Sequence, residues 1–155
     1  YMLRDESHRI TNPENKTLRP DFWYGALYYD IIVNEFEGRT YYTLLGWDGN
    51  TEKSEKKIID VLWFNNSKEL IFGAPLFISD LGIQNRFILE YNDLASVTLE
   101  YKSKSKIILF DELEPVDGES TKVKTAYVPT LNYNGFLFKK GKWNLLKHLE
   151  PTELK

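Results

Sequence analysis

The chain has 155 residues, enough for one domain with a sizeable core, and it has no cysteine, which excludes disulfides, thiolate metal sites and cysteine nucleophiles. Its formal net charge is −3, with 20 basic and 23 acidic residues mixed along the chain, and this disfavours nucleic acid as a partner. Aromatic residues make up 15% of the chain, and they suit strands better than helices.

Residues 1–21 are polar, contain Pro13 and Pro20, and show no apolar periodicity. This pattern predicts an arm or linker ahead of a single β-rich domain at residues 22–150. The arm is either a disordered terminus or an ordered strap. No apolar run reaches the roughly 18–20 residues that span a bilayer, so no transmembrane segment is expected. Because the chain opens with Tyr1 and lacks the pattern of a signal peptide, we expect a processed or trimmed product.

Four pairs of apolar segments flank short polar turns, which is the pattern of antiparallel hairpins. The predicted pairs are 24–33 with 39–47, 57–64 with 70–72, 95–102 with 106–110, and 135–139 with 142–146. Further strands are expected at 75–79, 85–91 and 127–133. The acidic segment 111–122 is predicted to be a loop. Little helix is expected, and the stretch 143–150 offers at most a short terminal turn. The chain is therefore predicted to be all-β, an antiparallel meander of about eight to ten strands forming a sandwich or a partly closed barrel.

Two aspartates lie inside apolar strand segments, Asp30 in YYDIIV and Asp60 in IIDVLWF. Burying a carboxylate is costly unless it is paired or hydrogen-bonded. If the two strands are neighbours, one carboxyl can have a raised pKa and serve in two-carboxylate hydrolysis of sugars. The alternative is that each side chain points to solvent or accepts hydrogen bonds from a nearby turn. We expect this alternative, and with it no catalytic residues.

Other catalytic and metal-binding patterns are weak. His8 and His148 are expected at the surface, and no G-x-S-x-G segment supplies a nucleophilic serine. Oxygen-bearing side chains alternate in the segment 48–52, as in calcium loops, but with fewer acids than an EF-hand has. A turn after the preceding strand is the simpler explanation, because Asp-Gly and Gly-Asn are common turn pairs. We therefore predict no metal and no cofactor.

The aromatic residues of the first three predicted strands are the most suggestive feature of the sequence. A flat aromatic face with a nearby Asp or Asn can stack a sugar ring or anchor a protein partner. The alternative is a core rich in large rings, and the alternation of residues does not decide, because both faces of these strands carry rings. The predicted binding residues are Trp23, Tyr24, Tyr28, Tyr41, Trp47, Asp48 and Trp63.

A resemblance to a known family is carried by WYGALYY at 23–29, TYYTLLGWDGN at 40–50, FILEY at 87–91, ILFDELEP at 108–115, and 135–143. In these segments the chain resembles a family of predicted secreted proteins from Bacteroidota that has no known activity. The similarity runs from about residue 3 to residue 143. The resemblance implies a periplasmic or extracellular setting in the bacterial envelope and leaves association with the outer membrane open. It implies no site residues.

These patterns favour a non-catalytic binding or scaffolding module of the bacterial cell envelope. Its partner is either a protein of an envelope complex or a carbohydrate, and the sequence leaves both open. The alternatives are a carbohydrate-binding module, a glycoside hydrolase-type enzyme using Asp30 and Asp60, and a purely structural accessory domain.

Overall fold

A computed structural model describes residues 1–117, 123–150 and 152. Its strands are β1 (Leu27–Phe36), β2 (Arg39–Asp48), β3 (Ser54–Phe64), β4 (Leu70–Phe72), β5 (Phe77–Ser79), β6 (Gly82–Gln84), β7 (Phe87–Asn92), β8 (Leu99–Lys102), β9 (Ile107–Pro115), β10 (Tyr127–Lys139) and β11 (Lys142–Leu149). Short 3-10 helices lie at Ser7–Arg9, Pro13–Asn15, Pro20–Phe22 and Lys124–Ala126. Across the residues just given, no helix has the length and apolar character needed to cross a membrane.

The strands form two sheets packed face to face, an all-β sandwich that is not closed into a barrel. Sheet one contains β1, β2, β3, β4 and β7. Its β3 pairs with β2 along one side, and with β7 and then β4 along the other. Sheet two has the order β6-β5-β11-β10-β9-β8, in which only the β5–β11 pair is parallel.

All four predicted hairpins are present, as β1–β2, β3–β4, β8–β9 and β10–β11. Two of them turn on a residue pair with positive φ, Glu37-Gly38 and Lys140-Gly141. Two-residue hairpin loops favour this geometry, because its twist matches that of the flanking strands. The X-Gly pairs therefore explain why the sequence indicated these hairpins correctly.

Two local predictions are wrong. Residues 111–115, predicted to lie in a loop, continue β9, because Asp111 and Leu113 pair with Tyr133 and Pro129 of β10. The strand predicted at 142–146 continues to Leu149 as β11 between β10 and β5, so a terminal helical turn does not form there. Residues 118–122 of the predicted loop lie outside the described residues.

The main core lies between the two sheets. Phe136 is fully buried at its centre, and its ring centroid lies 5.0–5.5 Å from those of Phe77, Phe87 and Phe110. Trp143 is also buried, and its Nε1 donates a hydrogen bond of 3.0 Å to Thr43 Oγ1 across the sandwich. Much of the aromatic content therefore builds this core.

Residues 1–26 form a strap across the outer face of sheet one, and we call this segment the N-terminal strap. It includes the residues predicted as a polar arm. Leu18 of the strap and Phe72 of β4 exchange backbone hydrogen bonds of 2.7 and 2.8 Å. Apolar side chains of the strap pack on the sheet beneath, in a cluster that contains Ile10, Leu18, Tyr24, Leu44, Ile58, Leu70 and Phe72. The molecule thus has three layers: strap, sheet one and sheet two.

Candidate functional site

The predicted aromatic binding residues are divided between the two faces of sheet one. Trp23, Tyr24 and Tyr28 belong to the cluster beneath the N-terminal strap. Tyr41 and Trp63 pack against the core between the sheets. The structure therefore does not bring the predicted set together on one flat face.

The rings beneath the strap are held by internal hydrogen bonds. Tyr24 is 3% exposed, and Lys56 Nζ donates a hydrogen bond of 2.6 Å to its hydroxyl. Trp23 Nε1 donates to the Tyr28 hydroxyl at 2.9 Å. Burial raises the pKa of Tyr28, and the nearby Asp60 carboxylate adds to the increase. Tyr24 and Tyr28 therefore support the packing of the strap.

On the other face, Trp63 is enclosed by its neighbours. The Arg39 guanidinium lies 4.8 Å from the Trp63 ring centroid, and Tyr41 packs on it at 6.2 Å. Its Nε1 donates a hydrogen bond of 2.8 Å to the Gly73 carbonyl. These contacts give Trp63 a structural role at the end of the sandwich where β4 ends.

The two aspartates considered for catalysis do not converge. Asp30 pairs with Leu45, a residue of the core between the sheets, whereas Asp60 pairs with Leu44, a residue of the cluster beneath the strap. Directly paired residues share a face of the sheet, so the two carboxylates lie on opposite faces and on strands separated by β2. Asp30 is exposed and accepts the backbone N–H of Ile31 at 2.8 Å.

Asp60 is part of a buried ion pair that fastens the strap. Its Oδ2 lies 3.2 Å from Arg86 Nε, and both side chains are fully buried. Arg86 Nη1 also donates to the carbonyls of Pro13 and, at 2.9 Å, Lys16 in the strap. Burial raises the pKa of Asp60, and the Arg86 guanidinium opposes this increase. The carboxylate that looked catalytic in the sequence is therefore a structural anchor.

Three of the predicted binding residues do meet, at the junction between the strap and the end of β2. Here Trp23, Trp47 and Asp48 line a cavity of about 300 Å³. We call it the tryptophan pocket, and its lining consists of Asp5, Trp23, Gly25, Ala26, Leu27, Trp47, Asp48 and Gly49. Both tryptophans are half-buried, and Leu27 is exposed. Apolar rings and two carboxylates are thus adjacent in one concave site.

Some polar atoms of the tryptophan pocket already form hydrogen bonds within the protein. Trp47 Nε1 donates a hydrogen bond of 3.1 Å to Glu55, as Trp23 does to Tyr28. Asp48 Oδ1 accepts the Asn50 N–H at 2.8 Å. Within the described part of the chain, Oδ2 of Asp48 and Oδ2 of Asp5 accept no hydrogen bond. The pocket therefore offers apolar ring surface and free acceptor oxygens.

Asp5 was not predicted as a site residue. Its Oδ1 accepts backbone N–H groups from Ser7 at 3.0 Å and Gly25 at 3.2 Å. Partial burial acts to raise the pKa of Asp5, but these hydrogen bonds outweigh it and hold the pKa below its usual value. A side chain at Gly25 would collide with the Asp5 carboxyl, so only glycine allows this contact. The sequence signal was limited to Asp5-x-Ser7, a local turn pattern.

The remaining predicted positions show ordinary surface structure. The hydrogen bond from Asn50 to Asp48 and those from Lys53 and Ser54 to Thr51 Oγ1 are turn interactions in the β2–β3 loop. His8 and His148 are exposed. Of the residues described here, no three His, Cys, Asp or Glu side chains are grouped so that they could hold a metal ion.

The chain matches no family model, no curated protein and no solved structure in comparisons with known proteins.

Proposed function

We propose that the chain is a non-catalytic binding module of the bacterial cell envelope and that the tryptophan pocket is its site for a carbohydrate. The observation that carries this proposal is the pocket itself, where Trp23 and Trp47 lie beside the carboxylates of Asp5 and Asp48. The envelope setting is supported by the resemblance described above. A scaffolding role with a protein partner is the competing interpretation.

The chemistry of the pocket suits a sugar. A pyranose ring has an apolar C–H face that packs on indole rings, and its hydroxyl groups donate hydrogen bonds to carboxylate oxygens. At about 300 Å³ the pocket is at the small end of ligand sites, which fits one sugar ring or the end of a glycan. Its ligand would therefore be a terminal sugar unit rather than a long chain.

The same geometry argues for binding without hydrolysis. A glycoside hydrolase needs a carboxylic acid whose pKa is raised so that it can donate a proton. The pKa of Asp5 is lowered instead, so this carboxyl stays ionised. Asp60, whose pKa is raised, is fully buried and does not line the pocket. The Asp30–Asp60 hydrolase is accordingly not the function that we favour.

Tryptophan fluorescence tests the proposal directly, because two of the 4 tryptophans line the pocket. We expect a saturable change with at least one member of a panel of soluble glycans. Trp47→Phe should weaken that binding by about 0.5–1.5 kcal/mol, the scale of an aromatic contact. Trp63→Phe, at a site away from the pocket, is the matched control and should leave the affinity unchanged. The absence of a shift with every glycan would overturn the carbohydrate proposal in favour of a protein partner.

The proposal that the protein does not hydrolyse its ligand needs a separate assay. The panel is incubated with the protein, and new reducing ends are measured. We expect none above the rate of a heat-inactivated sample. Turnover above that rate would contradict the proposal, and its loss in Asp30→Asn, which alters an exposed carboxylate, would favour the hydrolase.

A further inference from the structure

A second cavity, of about 320 Å³, lies between β7 and the β9–β10 pair on the side of the molecule where β7 is the edge strand. We call it the β7 groove. It shares no lining residue with the tryptophan pocket. Its lining consists of Glu14, Leu81, Gln84, Phe87, Ile88, Leu89, Glu90, Phe110, Asp111, Glu112, Leu113, Tyr127 and Asn134. The inference below is independent of the carbohydrate proposal.

The β7 groove carries negative charge without a matching cation in its lining. Glu14, Glu90, Asp111 and Glu112 line it, and the described lining contains no lysine or arginine. Lys56 lies opposite Glu90 in the sheet and offsets part of its charge, but its ammonium donates to the Tyr24 hydroxyl outside the groove.

Three of these carboxylates are fixed by neutral donors. Glu90 accepts from the Asn50 amide at 3.1 Å and the Ser54 hydroxyl at 2.9 Å. Glu112 accepts from the Thr130 hydroxyl at 3.0 Å and the Asn132 amide at 3.2 Å. Asp111 accepts the Thr98 N–H at 2.6 Å. Neutral donors orient a carboxylate but do not cancel its charge. The groove therefore carries negative charges at fixed positions.

A buried acceptor in the lining has no partner, which is an independent sign of a missing ligand. Gln84 is only 8% exposed, and its Oε1 receives no hydrogen bond from the described residues. A buried amide oxygen without a donor costs free energy in the absence of a ligand. Gln84 lines the groove, so a rotation of its side chain toward a ligand N–H donor would satisfy this buried oxygen.

The free edge of β7 adds further acceptors. Asp93 N–H donates to the Lys53 carbonyl, so in this antiparallel pair the hydrogen-bonded residues of β7 are Phe87, Leu89 and Tyr91. The alternate residues, Ile88 and Glu90, therefore turn both their backbone carbonyls and their N–H groups away from β3. Both line the groove. The main chain along this wall thus presents acceptor oxygens beside the carboxylates, together with N–H donors.

The spacing of the acids suits an extended cation better than a compact metal ion. Among the described residues no three acidic or histidine side chains are close enough to hold one metal ion. Charges that are spread along a groove suit a long cation with separated positive groups. The apolar part of the lining, which includes Phe87, Leu89 and Leu113, suits methylene chains between those groups.

We propose that the β7 groove binds a linear polyamine, with ammonium groups at the carboxylates and Gln84 and methylene chains on the apolar wall. The same alkyl-ammonium chemistry occurs in lysine side chains, so a lysine-rich peptide is the alternative source. Two expectations distinguish a polyamine site from a diffuse acidic surface. Binding should depend on a neutral residue, Gln84, and spermidine should be preferred over a compact divalent ion.

Isothermal titration calorimetry of the full chain with spermidine tests the proposal. We expect saturable 1:1 binding that Mg²⁺ does not displace at equal concentration. Glu90→Gln combined with Glu112→Gln should weaken binding by about tenfold, which corresponds to about 1.4 kcal/mol. Glu100→Gln is the control for charge removal, because Glu100 is exposed on β8 and its substitution removes one negative charge outside the groove. It should change the affinity by less than about twofold.

Gln84→Met tests whether spermidine binding needs a specific hydrogen-bond acceptor or only the negative charge of the groove. The substitution removes the unpartnered oxygen and keeps every carboxylate. We expect about a fivefold loss of spermidine affinity, with the melting temperature retained or raised. Trilysine is titrated in parallel. Tighter binding of trilysine than spermidine would support the same ammonium chemistry with a protein as its source. Absence of spermidine binding, equal displacement by Mg²⁺, or equal effects of Glu100→Gln and the double variant would overturn the proposal.

Discussion

The two faces of sheet one are stabilised in different ways. The inner face packs on sheet two through buried apolar residues, with Phe136 in contact with three other aromatic rings. The outer face is covered by the N-terminal strap, whose apolar contacts are supplemented by a buried ion pair, Asp60–Arg86. Arg86 donates directly to the strap backbone. One face therefore depends on packing, and the other also depends on a specific polar connection.

This difference bears on function, because the strap supplies part of the tryptophan pocket. Asp5, Trp23 and Gly25 come from the strap, whereas Trp47 and Asp48 come from β2. The pocket exists only while the strap lies on the sheet. A change that releases the strap should therefore abolish binding even when the sandwich stays folded.

The largest expected effect comes from breaking the ion pair. Arg86→Met leaves the Asp60 carboxylate buried without its partner and removes the donor to the Pro13 and Lys16 carbonyls. We expect the free energy of unfolding to fall by about 3–5 kcal/mol, measured by urea denaturation. Adding Asp60→Leu removes the stranded charge and should recover part of the loss. A loss below about 1 kcal/mol would show that the pair does not fasten the strap.

A somewhat smaller loss is expected from the apolar side of the same interface. Leu18 is 5% exposed and packs beneath the strap. Leu18→Ala should lower the free energy of unfolding by about 2–4 kcal/mol through lost burial and a cavity. Thr17→Ala, at the neighbouring position outside this cluster, is the control for a change in the strap. If Leu18→Ala cost no more than the control, the strap would not be packed as described.

Gly73 tests how closely the strap packs on sheet one, because it lies where the strap, Arg86 and β4 meet. Its φ is +90°, and an added Cβ would lie 2.6 Å from the Lys16 carbonyl oxygen and 2.8 Å from Arg86 Nη2. Gly73→Ala should therefore lower the free energy of unfolding by about 1–3 kcal/mol. Gly82 also has a positive φ but has open space around it, so Gly82→Ala tests the backbone effect without the collision. Equal losses for the two variants would contradict a tight contact at Gly73.

The smallest expected effect is a pH dependence at the pocket. The pKa of Asp5 is lowered on folding, so its ionised form stabilises the fold above the ordinary value of 3.8. That contribution is lost as pH falls below 3.8 and through the folded pKa. Asp5→Asn should flatten the acid limb of a stability–pH curve, and Asp21→Asn, an exposed change in the strap, should not. Identical acid limbs for wild type and Asp5→Asn would contradict the hydrogen bonds assigned to Asp5.

The local parts of the fold were predictable from the sequence, and the long-range parts were not. The Glu37-Gly38 and Lys140-Gly141 turns identify their hairpins, because the required backbone geometry is set by neighbouring residues. The acidic character of residues 111–115 predicts a loop and conceals a strand whose partner lies in β10. The Lys140-Gly141 turn predicts the strand at 142–146, but no local pattern indicates the parallel pairing of β11 with β5, which joins distant segments.

The candidate site shows the same division. Trp23, Trp47 and Asp48 were identified from their residue types, but their meeting depends on the strap folding back to β2. The sequence marks Asp60 as unusual because a carboxylate lies inside an apolar strand segment. Its partner Arg86 is remote in sequence, and no local pattern indicates that the two residues pair. Asp5 lay in a segment that resembled a featureless polar arm. Sequence patterns reveal unusual residues, whereas their roles depend on partners that only the fold supplies.

Amide hydrogen exchange tests most directly whether the strap is an integral layer that builds the pocket. We predict that the Leu18 and Gly25 amides, which donate to Phe72 and Asp5, exchange much more slowly than an unstructured peptide in the wild type. In Arg86→Met their protection should be lost while that of Phe136 in the core of sheet two persists. Strap amides that exchange at the rate of an unstructured peptide in the wild type would contradict the account.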